Sequence, residues 1–376
     1  MDRALAHIEK VHNIRPIDGA DKIEQVNVLG WNLVAKKGEF QEDELCVYIE
    51  IDSRVNKDNE YFSFLESRKY KVKSIKLRGV VSQGLACPLS ILPKGNYKIG
   101  DDVTEILKIT KIEEDYQPPV QDSLAKLNKS KKKLMKNPVI KYFMRYEWFR
   151  NIMLKLFVPQ RKKSGFPSWV SKTDETRIQN IPEILNNKNP FQVTEKLDGT
   201  STTFTLKRIG KNKFEFLVCS RNMIVGGGTS KKKAKLYYDT NVYTEMAEKY
   251  NAREVLENIV GDNEYIALQG ETIGETIQGN KYNLVGRDFY AFNLVTPNGK
   301  IDSTKAADML KPFGIKWVPI IQEDYILPDT IEELMQFSTG DSELYKTLRE
   351  GYVFRDKNNE HSFKCVSNEF LLKHGL

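Results

Sequence analysis

The chain of 376 residues is poor in cysteine and histidine, the residue types that cross-link small domains or bind transition metals. Its cysteines, Cys46, Cys87, Cys219 and Cys365, have no paired spacing, which argues against a disulfide framework and a zinc site. Four histidines are too few to favour a histidine-centred metal site. There is also no apolar signal core near the first residue and no uncharged run of membrane-spanning length. We therefore expect a protein of the cytoplasm or another intracellular compartment, without a membrane partner.

Length and charge set the broad class of the protein. The length predicts two or three domains, each large enough to bury a core of its own. Lysine and arginine exceed aspartate and glutamate by 58 to 51, a net charge of +7. This excess favours a polyanionic partner such as nucleic acid, although many basic proteins have none.

Residues 1–112 contain several short, alternating strands separated by turn residues at fairly regular spacing. A barrel of about five strands fits this length, so we predict an OB-like domain; another small β-domain is the alternative. Residues 113–165 differ, because a lysine-rich run is followed by apolar residues at helical spacing, with basic residues between them. We interpret this segment as a basic helical linker or insertion that either contacts nucleic acid or packs between domains.

Residues 166–376 mix strand-like and helix-like runs in irregular order, which predicts an α+β domain built on antiparallel sheets. Helices are expected over residues 244–259 and 330–337. A glycine run at residues 226–228, followed by lysines at residues 231–233, has two interpretations: a phosphate cradle or a solvated hairpin.

One short run, TEKLDGT at residues 194–200, carries the strongest chemical signal. Its lysine, aspartate and glycine suit a covalent nucleophile presented at a turn, but a charged surface turn has the same pattern. Further polar segments follow or precede predicted strands in a fixed order: Arg177, Ser220-Arg221-Asn222, Gln269-Gly270-Glu271, Phe289-Tyr290-Ala291-Phe292-Asn293, Glu350-Gly351-Tyr352-Val353-Phe354-Arg355 and Lys364.

In this order, the segments resemble the motifs of ATP-dependent polynucleotide ligases and capping enzymes. Residues 196–199 match the first motif, residues 220–222 the next, and residues 269–271 the third. Residues 289–293 match the aromatic motif, residues 350–355 the fourth, and Lys364 the fifth. The β-domain at the N-terminus and the segment 177–180 make the chain most similar to RNA ligases of the Naegleria type. The resemblance implies an N-terminal five-stranded OB-like barrel followed by an α+β nucleotidyltransferase domain.

The resemblance also implies a chemistry. Lysine attacks phosphorus only as the free amine, and its reference pKa is about 10.4, so neighbouring cations and a metal ion must favour deprotonation. Lys196 would form a covalent AMP adduct with ATP, AMP would pass to an RNA 5′-phosphate, and a 3′-OH would then attack the activated end. The expected partners are ATP, Mg²⁺ or Mn²⁺, and RNA, most simply a nicked duplex, bound by a monomer.

The resemblance assigns a role to each matching residue. Lys196 is the nucleophile, and the catalytic set also includes Asp198, Glu271, Glu350 and Lys364. The same three carboxylates would hold the metal, mostly through waters. The residues expected to bind ATP or RNA are these: Glu195, Arg177, Arg221, Phe292 and Lys364 for the nucleotide, with Phe292 stacked on adenine, and Gln278 and Arg355 for the RNA substrate.

Several alternatives remain open at this stage. At least one ring among Phe289, Tyr290 and Phe292 belongs to the core, since neighbouring residues alternate sides of a strand. Gln278 supports the substrate end or is a surface amide. Many relatives have a second lysine in the fifth motif; here Cys365 and Val366 follow, and Lys373 is a candidate replacement.

Two features of the pattern bear on the class of enzyme. The position after Phe292 is Asn293 where an acidic residue is common, so it is not assigned to metal. The ten residues after Val366 are too few for a C-terminal OB domain, which disfavours capping enzymes and DNA ligases. The alternatives are a nucleic-acid-binding protein with an inactive ligase-like domain, or a ligase that acts on DNA.

Overall fold

The computed structural model describes residues 4–112, 143, 146, 164–229, 232–233, 241–357 and 360–376. Apart from Phe143, Tyr146, Ser164 and Gly165, the predicted basic helical segment therefore lies outside the described residues, as does Lys231. The described chain forms two units, one from the described parts of 1–114, Asp174–Asp198 and Val318–Leu376, and the other from those of 115–173 and Gly199–Trp317. No helix among the described residues is both long and apolar enough to cross a membrane.

The N-terminal part is built almost entirely from strands. They are β1 (Ala6–Pro16), β2 (Ile23–Val28), β3 (Trp31–Lys36), β4 (Leu45–Ile49), β5 (Ser53–Arg54), β6 (Lys71–Val72), β7 (Ile75–Leu77), β8 (Val80–Ser82), β9 (Leu85–Pro88) and β10 (Thr110–Lys111), with a 3-10 helix over Glu60–Arg68.

Five of these strands form one antiparallel sheet in the order β3-β2-β1-β4-β9, as the short alternating runs predict. The remaining strands form a three-stranded sheet, β10-β5-β6, and a hairpin, β7-β8. Alternate residues of the main strands point inward, so that Ile8, Trp31 and Tyr48 are fully buried, and Phe62 of the 3-10 helix joins them in the core. The result confirms a small barrel-like β-domain of the predicted class.

The rest of the chain contributes the other strands and all the described α-helices. They are β11 (Ser164–Gly165), β12 (Thr176–Arg177), β13 (Phe191–Lys196), β14 (Thr200–Gly210), β15 (Lys213–Cys219), β16 (Met223–Thr229), β17 (Lys232–Lys233), α1 (Val242–Lys249), α2 (Ala252–Ile259), β18 (Tyr265–Gly274), β19 (Arg287–Thr296), β20 (Gly299–Lys300), α3 (Ser303–Leu310), β21 (Lys316–Trp317), β22 (Ile320–Tyr325), α4 (Ile331–Ser338), β23 (Gly351–Asp356), β24 (Ser362–Val366) and α5 (Asn368–His374).

The first unit contains a second sheet besides the N-terminal domain. Its order is β12-β24-β23-β13-β22, with β12 parallel to β24 and the other neighbours antiparallel. Phe191, Phe354 and Phe363 fill its core, and the last two rings stack with centroids 4.9 Å apart. Helix α5 then returns the chain to the N-terminal domain, where Val366 and Leu371 join the core of the barrel.

The second unit contains the largest sheet, in the order β11-β16-β15-β14-β18-β19-β20. Strand β17 extends it beside β16 and β21 beside β19. Apolar residues of α1, α2 and α3 pack on it, among them Met246, Leu256 and Leu310. Antiparallel pairing predominates in both large sheets, which confirms the α+β prediction.

Two local predictions need correction. The helix expected over residues 244–259 is two helices, because Asn251 adopts a left-handed backbone, φ 47°, that ends one helix before the next begins. The glycine run belongs to the paired strand β16, where a Cβ on Gly227 would lie 2.1 Å from the Phe216 carbonyl oxygen. These glycines therefore permit close strand packing. The hairpin exists, since Gly228 of β16 pairs with Lys233 of β17, but its glycines lie in a paired strand and not in a solvated loop.

Candidate active site

The reactive lysine predicted from sequence is the last residue of a central strand. Strand β13 is buried along its length between β22 and β23, but Lys196 at its end keeps 24% of its side chain exposed. In the register, Lys196 lies opposite Gly351, so the residue before it, Glu350, is brought alongside. The Lys196 Nζ lies 2.7 Å from the Glu350 Oε2. Strand pairing thus unites the first and fourth motifs, which are 154 positions apart.

Glu195 points to the other side of β13 and is almost completely buried. Its Oε2 accepts a hydrogen bond from the Glu343 N–H at 2.9 Å, whereas Oε1 has no hydrogen-bond partner among the described residues. Burial raises the pKa of Glu195 above its ordinary value, and hydrogen bonds from Ser342 and Glu343 oppose that rise. A buried acceptor of this kind has a strong requirement for a donor, such as one on a ligand.

Arg349 lies in the same part of the first unit as Glu195, and its positive charge favours the ionised carboxylate. Its guanidinium stacks over the Tyr352 ring at 4.5 Å, and its Nε and Nη1 have no hydrogen-bond partner among the described residues. Sequence reasoning did not identify Arg349, because no motif includes the residue before Glu350. The Arg349 Nη1 also lies 3.9 Å from the Glu343 Oε1, so the guanidinium has an acidic partner.

Asp198 and Gly199 follow the strand directly. Asp198 is half-buried, and Gly199 begins the second segment of the second unit. A Cβ on Gly199 would lie 2.4 Å from the Thr272 carbonyl oxygen and 2.7 Å from the Ile273 Cγ2. The glycine of this motif is therefore required by backbone packing against β18, in addition to any role in catalysis.

Lys364 and Arg177, both predicted to hold phosphate, are register partners on the parallel strands β24 and β12. Lys364 is 14% exposed, and its Nζ lies 3.7 Å from Asp174. Arg177 is 7% exposed; its Nη2 lies 3.4 Å from Asp52 and its guanidinium 5.7 Å from the Trp31 ring. Arg177 thus packs against the N-terminal domain, and its role in phosphate binding stays a prediction.

Arg355, predicted to contact the RNA, is buried on β23. Its Nη2 lies 3.4 Å from the Glu175 Oε1, and Glu175 also accepts a hydrogen bond from Ser362 at 2.6 Å. Burial lowers the pKa of Arg355, and the Glu175 carboxylate opposes that shift. The placement gives no support to substrate contact, because the guanidinium is shielded and ion-paired. The candidate replacement for the second lysine, Lys373, is exposed in the last turn of α5.

The predicted residues of the second unit lie on or beside three strands. Glu271 is half-buried on β18, Arg221 is half-buried in the β15–β16 turn, and Gln278 lies in the β18–β19 connection with a left-handed backbone, φ 45°. The role of Gln278 in supporting the substrate end stays a prediction. The structure thus distributes the predicted side chains over both units.

The aromatic motif separates core rings from the candidate ligand ring. Phe289 is fully buried and Tyr290 nearly so, whereas Phe292 is half-buried. The strand register shifts here, since Gln269 lies opposite Asn293 but the next residue, Gly270, lies opposite Ala291. Such a bulge re-aims the side chain at the shift, which is Phe292.

Asn293 has a structural role that explains the departure from the acidic pattern. It is 3% exposed and donates to the Gln269 Oε1 at 2.9 Å. Gln269 in turn donates to the Ser171 carbonyl oxygen at 2.8 Å. The amide at this position therefore joins two strands, in agreement with leaving it out of the metal set.

Comparisons with known proteins agree with this arrangement. A family model for an OB-fold domain matches residues 5–89, and one for RNA ligase matches residues 189–373. No curated protein matches the chain at a significant level. Solved structures of Naegleria gruberi RNA ligase are similar over the whole chain: an apo mutant has 32% identity and a TM-score of 0.76, covering 99% of this chain and 98% of that one.

Two further structures of that enzyme carry ligands. A mutant with ATP and Mn has the same identity and TM-score, with 99% of this chain and 98% of the other covered. A mutant with AMP and Mn has 32% identity and a TM-score of 0.75, with 99% of both chains covered. Both the OB domain and the ligase motifs are thus present in one chain of matching length, and the protein belongs to the RNA ligase family, in its Naegleria-type form.

Proposed function

We propose that the protein is an ATP-dependent ligase that seals nicks in duplex RNA through a covalent AMP adduct on Lys196. The observation that carries this proposal is the Lys196 amine at a strand end, partly exposed and 2.7 Å from the Glu350 carboxylate. An amine at this position is accessible to a ligand and has a carboxylate beside it. The Naegleria gruberi structures with ATP, AMP and Mn support the choice of nucleotide and metal.

The proposed first step is nucleotidyl transfer to the lysine. The Lys196 amine forms a bond to the α-phosphorus of ATP as the bond to pyrophosphate breaks. The ammonium must lose a proton before it attacks, and the Glu350 carboxylate accepts a hydrogen bond from the Lys196 Nζ. Adjacent Glu195 keeps a buried acceptor oxygen for a donor on the nucleotide, such as an exocyclic amine.

The later steps use the same residues. An RNA 5′-phosphate attacks the adenylate and releases Lys196, and the 3′-OH across the nick then attacks that 5′-phosphate and releases AMP. Asp198, Glu271 and Glu350 offer the oxygen ligands that Mg²⁺ or Mn²⁺ prefers, and the ion would neutralise charge on the phosphates. Lys364 and Arg221 are proposed to contact phosphate or ribose, and Phe292 to stack on adenine. All these residues belong to one chain, so we propose a monomer as the working unit.

A sealing assay separates this function from its alternatives. Duplexes with one nick, bearing a 3′-OH and a 5′-phosphate, are offered with ATP and either metal, in all-RNA and all-DNA form. We expect the RNA nick to be sealed and the Lys196→Ala variant to be inactive. Sealing of the DNA nick alone would assign the enzyme to DNA, and RNA binding without sealing would indicate an inactive ligase-like domain.

A further inference from the structure

A strongly basic stretch lies in the N-terminal domain, outside all the ligase motifs. Residues 4–67 contain seven lysines and arginines against thirteen acidic residues, a net charge of −6. Residues 68–78 then contain six basic residues and no acidic ones, a net charge of +6. Within one domain, any polyanion is therefore attracted to this short stretch and repelled by much of the preceding chain.

Five of the six cations are available to a ligand; we name them the basic ribbon: Arg68, Lys69, Lys71, Lys76 and Arg78. Four are exposed and Lys71 is half-buried. None of the five takes part in an ion pair with a carboxylate among the described residues. The sixth, Lys73, donates to the Gly375 carbonyl oxygen at 2.6 Å and is left out of the ribbon.

At the tip of the β7–β8 hairpin, an arginine occupies a backbone conformation that is unfavourable for it. Leu77 pairs with Val80, so Arg78 and Gly79 form a two-residue loop, and both have positive φ, 47° and 88°. This loop geometry favours asparagine, aspartate or glycine at its first position. An arginine there costs on the order of 1–3 kcal/mol, and such strain tends to occur at functional positions.

Strain also occurs at the other end of the ribbon. Lys69 and Tyr70 both have left-handed backbones, φ 54° and 59°, just after the 3-10 helix ends. Two of the five ribbon residues, Lys69 and Arg78, thus have left-handed backbones, and the hairpin carries two exposed cations, Lys76 and Arg78. A solvated loop without a ligand requires neither the strain nor the uniform charge.

We propose that the basic ribbon binds the phosphate backbone of the RNA duplex that the enzyme seals. This inference rests on the proposed function for the identity of the polyanion. Three flexible ammonium groups and two guanidinium groups in a row, without acidic residues between them, suit phosphate contacts that fix a duplex in place. Such contacts carry no sequence information, so the ribbon increases affinity for any RNA duplex.

The test uses the double variant Lys76→Thr/Arg78→Asn in the full chain. Threonine suits an exposed strand, and asparagine suits the left-handed turn position better than arginine, so we expect no decrease in thermal midpoint. The matched control is Lys94→Thr/Lys108→Asn: both lysines are exposed in the same domain, and Lys108 also has a left-handed backbone, φ 53°. The two variants therefore remove equal charge by equivalent substitutions.

The readout is the Kd for nicked duplex RNA between 50 and 200 mM salt, measured without ATP. Removing two phosphate contacts should reduce the slope of log Kd against log salt by about two. The ratio of variant to wild-type Kd should then be about 16-fold larger at 50 mM than at 200 mM salt. The control variant should keep the wild-type slope, and two RNA duplexes of unrelated sequence should respond equally.

Equal slopes for the ribbon variant and the control would overturn the proposal. Formation of the AMP adduct from ATP alone is measured in parallel, since that step needs no RNA. We expect the ribbon variant to form the adduct at the wild-type rate at low ATP; a lower rate would assign the ribbon to the triphosphate of ATP instead. Failure of the wild type to form any adduct would reject the proposed function, whereas the RNA-binding slopes would still decide the role of the ribbon.

Discussion

Asn180 is predicted to be the residue whose loss most weakens the attachment of the N-terminal domain to the sheet that carries Lys196. Its Oδ1 accepts from the Trp31 Nε1–H at 2.5 Å, and its Nδ2 donates to the Glu50 Oε1 at 2.6 Å. Both partners belong to the N-terminal domain, and both are buried. Asn180→Ala therefore removes the hydrogen-bond partner of the buried Trp31 indole N–H and of the buried Glu50 carboxylate at once.

The size of the effect follows from these two groups. A buried neutral donor without a partner costs about 1–3 kcal/mol, and a hydrogen bond to a charged group contributes about 1.5–3 kcal/mol. His7, whose Nε2 lies 3.7 Å from Glu50, remains to compensate part of the second loss. We expect Asn180→Ala to lower the free energy of unfolding by about 3–4 kcal/mol.

Urea unfolding followed by circular dichroism measures this change. Asn186→Ala is the control, because Asn186 is exposed and should change the unfolding free energy by less than about 0.5 kcal/mol. Trp31→Phe removes the indole donor of the same hydrogen bond. The double variant Asn180→Ala/Trp31→Phe should therefore lose about 1 kcal/mol less unfolding free energy than the sum of the two single losses. A loss below about 1 kcal/mol for Asn180→Ala, or strict additivity in the double variant, would refute the reasoning.

Three further predictions concern charge, backbone packing and pH. Glu350→Gln removes the negative charge beside Lys196 and should slow formation of the AMP adduct by about 10²-fold or more, as single-turnover assays with labelled ATP would show; an unchanged rate would exclude Glu350 from this step. Gly199→Ala forces a methyl group against the Thr272 carbonyl oxygen and should destabilise the protein by about 1–3 kcal/mol in thermal unfolding; a stable, active variant would contradict the packing argument. Burial lowers the pKa of His7, but the neighbouring acidic side chains outweigh it and raise the pKa to about 9, so the stabilisation is complete below about pH 6.5 and is lost as pH rises through 9. The loss should approach roughly 3 kcal/mol and be absent in His7→Gln; an equal pH dependence in that variant would contradict the assignment.

The fold class and the short strands were predictable because they depend on local alternation and turn residues. The meeting of Lys196 with Glu350 was predictable only through the resemblance, since the register between β13 and β23 depends on pairing across 154 positions. The break at Asn251 escaped prediction because no glycine or proline marks it.

Other features could not be read from the sequence because they depend on tertiary packing. Nothing local shows that Leu371, near the end of the chain, joins the core of the N-terminal domain. Arg177 and Arg355 were expected to bind ligands because of their motif positions, yet each is buried against an acidic neighbour. Arginine in a motif fits a phosphate contact and a buried ion pair equally well at the level of sequence.

The most direct test of the account is the identity of the residue that carries AMP. The protein is incubated with α-labelled ATP and Mg²⁺ or Mn²⁺, without RNA, and the labelled peptide is mapped by mass spectrometry. We expect one AMP per chain on Lys196, in an alkali-stable phosphoramide linkage that is absent from Lys196→Ala. AMP on any other residue, or no adduct with either metal, would contradict it.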